Sequence, residues 1–175
     1  MVKLTAQGWN PKSTIRSMFQ HIWKIPAEIV WFQNHDDATC RTKIKNMEAL
    51  FEYCDSVGAD KGLIFASCHI GNWEIGSSAV SRYYRPMSAV FKPHKKKWVN
   101  DLILSFRLNH RQTTIPKEGG LIPMMRTLKE KGAVGVLIDQ FGGKEGFPSK
   151  FLDCPTTSWD SVVRLSHKTK SPIIP

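Results

Sequence analysis

The sequence predicts an α/β fold, in which a mixed, largely parallel sheet is flanked by helices and preceded by an N-terminal helical segment. Two observations support this prediction. After Lys61, short apolar runs typical of buried strands alternate with longer amphipathic stretches typical of helices. Such alternation implies parallel strands joined by helical crossovers. Before Lys61 the apolar spacing is helical, so we divide the chain into a helical segment, 1–60, and an α/β core, 61–175.

The N-terminal segment contains two predicted helices, at 13–33 and roughly at 38–54. In the first, apolar side chains recur at steps of three and four residues: Ile15, Met18, Phe19, Ile22 and Trp23. Pro26 is expected to break or kink this helix. One interpretation is a helix packed on the core. The other is a membrane-proximal helix that places Trp23 and Trp31 at the level of the lipid headgroups.

The predicted elements of the core alternate along the chain. Strands are expected at 62–68, 87–92, 112–116 and 133–139, with another at 149–152 and one that begins at 172. Helices are expected at 72–83, 95–109, 119–131 and 158–169. Because residues 171–175 resemble the opening of a buried strand, we expect the chain to be truncated at its C-terminus and the core to be incomplete.

Composition narrows the class of protein. The 175 residues are 41% hydrophobic, which is typical of a globular domain, and their net charge of +10 attracts nucleic acid, anionic lipid or an acidic protein. No C-x-x-C pair or zinc-ligand spacing is present, so we expect reduced cysteines and no metal. The sequence contains no run of about 18 apolar residues, so it predicts no transmembrane helix.

The most informative motif is His69 followed five positions later by Glu74. The apolar run before His69 predicts a strand that ends there, and Gly71 and Asn72 predict a turn into a helix. A base at the carboxyl edge of a sheet, with a carboxylate one turn away, suits the deprotonation of a hydroxyl. The alternative is a buried structural histidine, with Glu74 favoured by the helix dipole. No G-x-S-x-G motif is present, so we expect no covalent acyl-enzyme.

Three segments resemble one enzyme family: CHIGNWE at 68–74, KGAVGVLIDQ at 131–140, and the stretch 151–175 that ends in SPIIP. They are similar to the bacterial lipid A late acyltransferases, the lauroyl and myristoyl acyltransferases of the lysophospholipid acyltransferase group. The resemblance spans about residues 15–175. It implies a glycerolipid-acyltransferase-like fold and no cofactor. It also implies transfer of a fatty acyl chain from acyl carrier protein or acyl-CoA to a hydroxyl of a glycolipid such as a lipid A precursor.

The resemblance also implies roles for residues and a location. His69 matches the catalytic base and Glu74 its partner acid, and Arg107 is the match to an arginine that stabilises the oxyanion or binds a phosphate of the acceptor. The remaining expected substrate contacts are Asn72, Arg111, Lys117, Asp139 and Gln140. The implied location is the cytoplasmic face of the bacterial inner membrane.

A basic cluster, Lys95, Lys96 and Lys97, is interpreted either as a solvated loop or as a docking surface for the membrane or the acidic carrier protein. No nucleic-acid-binding motif accompanies it, so nucleic acid is not an expected partner. Two alternatives stay open for the function. The acceptor could be a mannosylated phospholipid or an ornithine-type lipid, or the chain could be a non-catalytic fragment that binds a membrane surface.

Overall fold

The computed structural model describes residues 10–144, 146–151 and 153–175. Its centre is a five-stranded sheet in the order β3-β2-β4-β1-β7, in which every pair of neighbours is parallel. The strands are β1 Leu63–Ser67, β2 Met87–Phe91, β3 Thr113–Pro116, β4 Ala133–Leu137 and β7 Ile173–Ile174. A separate antiparallel hairpin is formed by β5 Phe147–Phe151 and β6 Cys154–Ser158.

Helices flank this sheet, which confirms the predicted α/β fold. They are α1 Pro11–Gln33, α2 Asp37–Lys43, α3 Met47–Gly58, α4 Trp73–Tyr83, α5 Lys97–Asn109, α6 Leu121–Lys129 and α7 Ser161–Thr169. Successive side chains of a strand point to opposite faces of a sheet. Leu63 therefore packs on one face, in the cluster with Cys54 of α3, while Ile64 packs on the other face with α6 and α7.

The N-terminal helices differ from the prediction in two respects. The expected single helix at 38–54 is two helices, because Asn46 adopts a left-handed conformation with φ 57° between α2 and α3. Asparagine tolerates this conformation better than most residues. Pro26 does not end α1, which continues to Gln33. The two buried side chains of α1, Ile25 and Phe32, lie on either side of the proline and hold the helix to the domain.

The first half of α1 lies outside the core. Its residues 11–24 are all exposed, including the apolar stripe Ile15, Met18, Phe19, Ile22 and Trp23, and Trp23 is 73% exposed. The second half is anchored, because Phe32 and Cys40 pack against Phe106 of α5. Within the described ranges, no helix combines the length and the hydropathy needed to cross a membrane.

The hairpin β5–β6 was only half predicted. A strand at 149–152 matches β5, but Cys154–Ser158 has the sequence CPTTS, which lacks alternating large apolar residues. Its pairing with β5 extends from Phe147 opposite Ser158 to Phe151 opposite Cys154. The hairpin therefore depends on backbone pairing, which apolar periodicity does not reveal.

Candidate active site

Two polar residues meet at the carboxyl edge of the sheet. β1 and β4 are neighbours, with Ser67 opposite Leu137, so His69 and Asp139 each follow their strand by two residues and lie side by side. His69 Nδ1 lies 2.8 Å from Asp139 Oδ1, and the backbone N–H of His69 donates to Oδ2 at 2.9 Å. The carboxyl edge of parallel strands is where α/β proteins place their ligand sites.

Asp139 determines which nitrogen of the neutral His69 ring carries the proton. Because an ionised carboxylate only accepts hydrogen bonds, the neutral imidazole carries its proton on Nδ1 and leaves Nε2 as an acceptor. Partial burial raises the pKa of Asp139, but the hydrogen bonds donated by the His69 backbone and ring outweigh it, and the pKa lies below its usual value. The carboxylate is therefore ionised at neutral pH. Trp73 contacts the imidazole edge-on, with 4.8 Å between ring centroids.

The structure corrects the expected pairing of Glu74 with His69. Both carboxylate oxygens of Glu74 accept hydrogen bonds from Arg107, from Nε at 3.0 Å and from Nη2 at 2.6 Å. The pair is buried, with Glu74 9% and Arg107 5% exposed. The physical reason is that Glu74, in the first turn of α4, faces the last turn of α5, where an unpaired buried guanidinium would be costly. The fork geometry of arginine suits this bidentate contact.

Arg107 retains one unused donor at the site. Its Nη1 is buried and has no hydrogen-bond partner among the described residues. The guanidinium lies over the Phe91 ring, 5.0 Å from the centroid, at the end of β2. Because buried donors are normally satisfied, this nitrogen is available to an oxygen of a bound ligand.

The turn after His69 is fixed from outside. Gly71 has φ +64°, a conformation that favours glycine, and Asn72 caps α4 by accepting from the Ile75 backbone N–H at 3.2 Å. The side-chain amide of Asn72 donates to Glu28 Oε2 at 2.9 Å and to the Ile25 carbonyl at 3.2 Å. Asn72, expected as a substrate contact, thus connects α4 to α1 in the structure.

A cleft of about 400 Å³ opens beside the histidine. Its polar wall contains His69, Glu74, Lys92, Arg107, Lys117 and Gln140. Lys117 Nζ lies 4.7 Å from the centroid of the Trp159 ring, which also lines the cleft. The cationic side chains that face this space favour an anionic ligand.

A second, apolar cavity of about 220 Å³ lies between the sheet and α4. Trp73, Glu74, Arg107 and Leu137 line both this cavity and the cleft, so the two spaces meet at the same residues. The rest of its wall includes Phe65, Val80, Met87, Ala89 and Gly135. A space of this kind suits a hydrocarbon group attached to a polar reacting centre.

Several expected site residues lie elsewhere. Arg111 is exposed in the turn after α5, with φ 57°, and lines neither of these two spaces. Trp31 is half-buried and stacks on His35 with 4.1 Å between ring centroids, so it does not project from α1 as Trp23 does. Lys95, Lys96 and Lys97 are exposed at the start of α5, and Lys97 forms an ion pair with Asp101.

Sequence reasoning missed three features of the site. Lys92 follows β2 and Trp159 follows β6, and both line the cleft. For Lys92 the available signal was its position directly after a strand of the parallel sheet, since the carboxyl ends of such strands meet at one edge. Trp159 follows a strand of the separate hairpin, so this rule does not predict its position. The role of Asp139 as the partner of His69 was the third. In residues 10–144, 146–151 and 153–175, no group of three or more His, Cys, Asp or Glu side chains is placed to hold a metal ion.

Comparison with known proteins adds one match. The model of a family described as bacterial lipid A biosynthesis acyltransferase matches residues 9–175. No curated protein matches the chain. The matched range includes both strands that supply His69 and Asp139, and also Arg107 and the lysines of the cleft.

Proposed function

The chain belongs to the bacterial lipid A biosynthesis acyltransferase family, and from this membership we propose that it transfers a fatty acyl chain from a thioester donor to a hydroxyl of a glycolipid. The donor is acyl carrier protein or acyl-CoA, and the acceptor is a lipid A precursor. The observation that most supports this proposal is the His69–Asp139 pair at the sheet edge, with Nδ1 and Oδ1 2.8 Å apart. With Nδ1 bound to Asp139, Nε2 is the ring nitrogen that can accept a proton, so the pair suits general-base catalysis.

In the proposed reaction, His69 Nε2 accepts the proton of the acceptor hydroxyl while the hydroxyl oxygen bonds to the thioester carbonyl carbon. Asp139 stabilises the imidazolium that forms, as the acid of a histidine–acid pair does. The tetrahedral intermediate then collapses and its carbon–sulfur bond breaks. The proton on Nε2 passes to the departing sulfur, so the products are an ester and a free thiol.

Arg107 is the proposed stabiliser of the negative oxygen in that intermediate. Its Nη1 is buried and unpartnered among the described residues, and Arg107 lines both the cleft and the apolar cavity. Glu74 fixes the guanidinium through two hydrogen bonds, so the donor is held in place before charge develops. Donors oriented in advance stabilise the transition state more than mobile donors do, because they need not reorganise during the reaction. Glu74 thus acts on Arg107, and Asp139 acts on His69.

The two spaces suit the two parts of the substrates. The apolar cavity would hold the acyl chain of the donor, and the basic cleft would hold an anionic group of the acceptor or the donor near Lys92, Lys117 and Gln140. A lysine is a point charge that binds phosphate without demanding one geometry. This arrangement also suits other anionic lipid acceptors, so the acceptor panel of an assay should include them.

The proposed location is the cytoplasmic face of the inner membrane. The exposed apolar stripe of α1 is flanked by Lys12, Arg16 and Lys24, and residues 11–24 contain no acidic side chain. An apolar helix face bordered by cations is typical of a helix that lies in the interface of an anionic membrane. Lys95, Lys96 and Lys97 form a second basic surface, which suits either the membrane or an acidic carrier protein.

The test is a transfer assay with the purified chain, carrier-linked and CoA-linked donors, and a lipid A precursor. We expect His69→Ala to lower the rate by roughly 10²–10⁴, the range typical of a lost general base. His167→Ala, which removes an exposed histidine from α7, is the matched control and should leave the rate unchanged. Near wild-type transfer by His69→Ala would refute the mechanism. Vesicle binding without transfer by the wild-type chain would instead favour a non-catalytic membrane-binding protein.

A further inference from the structure

At the inner end of the apolar cavity, a flexible side chain lies over a glycine, and Leu50, Val80, Ile174 and Pro175 line other parts of the wall. Three layers of side chains face α3 and α4 along the sheet, each about 7 Å from the next because a strand rises about 3.3 Å per residue. From the catalytic edge inward the layers are Ser67 with Leu137, Phe65 with Gly135 and Ala89, and Leu63 with Ala133 and Met87. The outer and middle layers leave space, and the inner layer is buried core.

Met87 extends from the inner layer into the middle one. A Cβ at residue 135 would collide with the Cε of Met87, so the methionine methyl lies directly over Gly135. Met87 is 4% exposed and lines the cavity, as do Gly135 and Ala89. The thioether therefore fills the room that the missing side chain of Gly135 leaves, and its methyl group forms the floor.

Met87 is backed by buried core on one side and by space on the other. Beneath Met87 the core is continuous, with Met47, Phe51 and Ala133 packed in the same cluster. Above it, a Cβ added to Gly76 of α4 would meet no atom within 4 Å. Because protein cores are close-packed, a ligand that enters from the catalytic edge and runs along β4 meets the Met87 methyl before it reaches this core.

We propose that Met87, seated over Gly135, sets the length of the fatty acyl chain that this protein accepts. This inference rests on the proposed function, since it assigns the apolar cavity to the acyl group of the donor. Each methylene that reaches the cavity is buried and raises affinity roughly fourfold, until the chain end meets Met87. A further methylene must displace the methionine or stay in water, so affinity stops rising there.

Two substitutions move the floor in opposite directions. Met87→Ala removes three heavy atoms beyond Cβ and should lengthen the preferred chain by about two methylenes, with roughly tenfold better binding of the longer chain. Gly135→Ala should push the methionine tip toward the catalytic edge and shorten the preferred chain. Met47→Ala is the matched control, because Met47 is equally buried in the same cluster but does not line the cavity.

The experiment measures two profiles for each variant. Calorimetry gives the affinity for a series of saturated fatty acids of increasing length, and a competition assay with mixed acyl donors gives the lengths transferred to the acceptor. We expect Met87→Ala and Gly135→Ala to shift the affinity profile in opposite directions and Met47→Ala to leave it unchanged. If Met87→Ala does not fold, the shift with Gly135→Ala alone decides.

The two measurements separate this inference from the proposed function. Opposite shifts in affinity without any acyl transfer would support Met87 as the floor of the cavity and count against the reaction. Transfer with the same chain-length profile in all variants would overturn the role of Met87 while leaving the reaction intact. Wild-type protein that binds no fatty acid of any length would also overturn it.

Discussion

Replacing Asp139 by asparagine tests which acid serves His69. Both oxygens of Asp139 accept hydrogen bonds from this residue, from the backbone N–H at 2.9 Å and from the ring at 2.8 Å. An asparagine side chain has one accepting oxygen and one donating NH₂ group. If the asparagine oxygen still accepts from the His69 backbone N–H, the asparagine NH₂ group faces Nδ1 of the ring. Two donors cannot face each other, so the ring proton must move from Nδ1 to Nε2. The nitrogen that should accept the substrate proton is then occupied.

The expected cost follows from the loss of the general base. We expect kcat/KM of Asp139→Asn to fall by roughly 10²–10⁴, which corresponds to about 3 to 5 kcal/mol of transition-state stabilisation. Glu74→Gln is the comparison, because it keeps the His69–Asp139 contact and weakens only the grip on Arg107. Both variants should lose activity, so rates alone do not separate the two acids.

Nitrogen NMR of the imidazole ring separates them. In the wild-type chain and in Glu74→Gln, we expect the proton of neutral His69 on Nδ1. In Asp139→Asn we expect it on Nε2. A ring proton that moves in Glu74→Gln and stays in Asp139→Asn would refute the assignment of Asp139. Near wild-type turnover by Asp139→Asn would do the same.

Three further predictions concern the arginine, α1 and a buried histidine. Arg107→Lys loses the bidentate contact with Glu74 and should lower kcat by roughly 10²–10³ with little change in KM, and an unchanged kcat would exclude Arg107 as the donor to the oxyanion. The double variant Phe19→Ser, Trp23→Ser should weaken binding to anionic vesicles at least about tenfold, whereas equal binding would show that α1 does not lie on the membrane. Burial, and after it the Arg82 guanidinium, lowers the pKa of His110 from 6.5 to about 4. As the pH falls from 6.5 to about 4, His110 becomes protonated in the unfolded chain but stays neutral in the folded chain. The free energy of unfolding therefore drops by about 3 kcal/mol. Urea denaturation of His110→Phe should show a smaller loss between pH 7 and pH 4, and identical losses in both proteins would contradict the assignment.

Apolar patterning predicts most of this fold because buried strands and amphipathic helices differ in period. β1, β2, β3 and β4 lie within the predicted ranges, and α4 begins one residue after its predicted start. The break between α2 and α3 is local, since only a few residues leave the helical conformation, among them the extended Ile44 and the left-handed Asn46. Its neighbours keep a helical spacing on both sides, so periodicity does not detect the break.

Prediction of the site fails where contacts are distant in the sequence. His69 and Glu74 are close along the chain, and that proximity suggests a pair. Asp139 is 70 positions from His69 and reaches it only because β4 is inserted beside β1. Strand order decides this contact, and the apolar pattern of each strand alone does not reveal it. Arg107 is likewise assigned to Glu74 by the packing of α5 against the sheet edge, which is a tertiary property.

The position of β4 also has a consequence for synthesis of the protein. In the sheet order β3-β2-β4-β1-β7, β4 lies between two strands that the ribosome has already completed. Until residue 137 has emerged, the edges of β1 and β2 that will pair with β4 have no partner strand. Both strands are rich in apolar residues. Exposed strand edges recruit other chains, and late, long-range pairing is slow. We therefore expect the growing polypeptide to need chaperone protection over this interval, and catalytic competence to appear only when the central strand has been inserted.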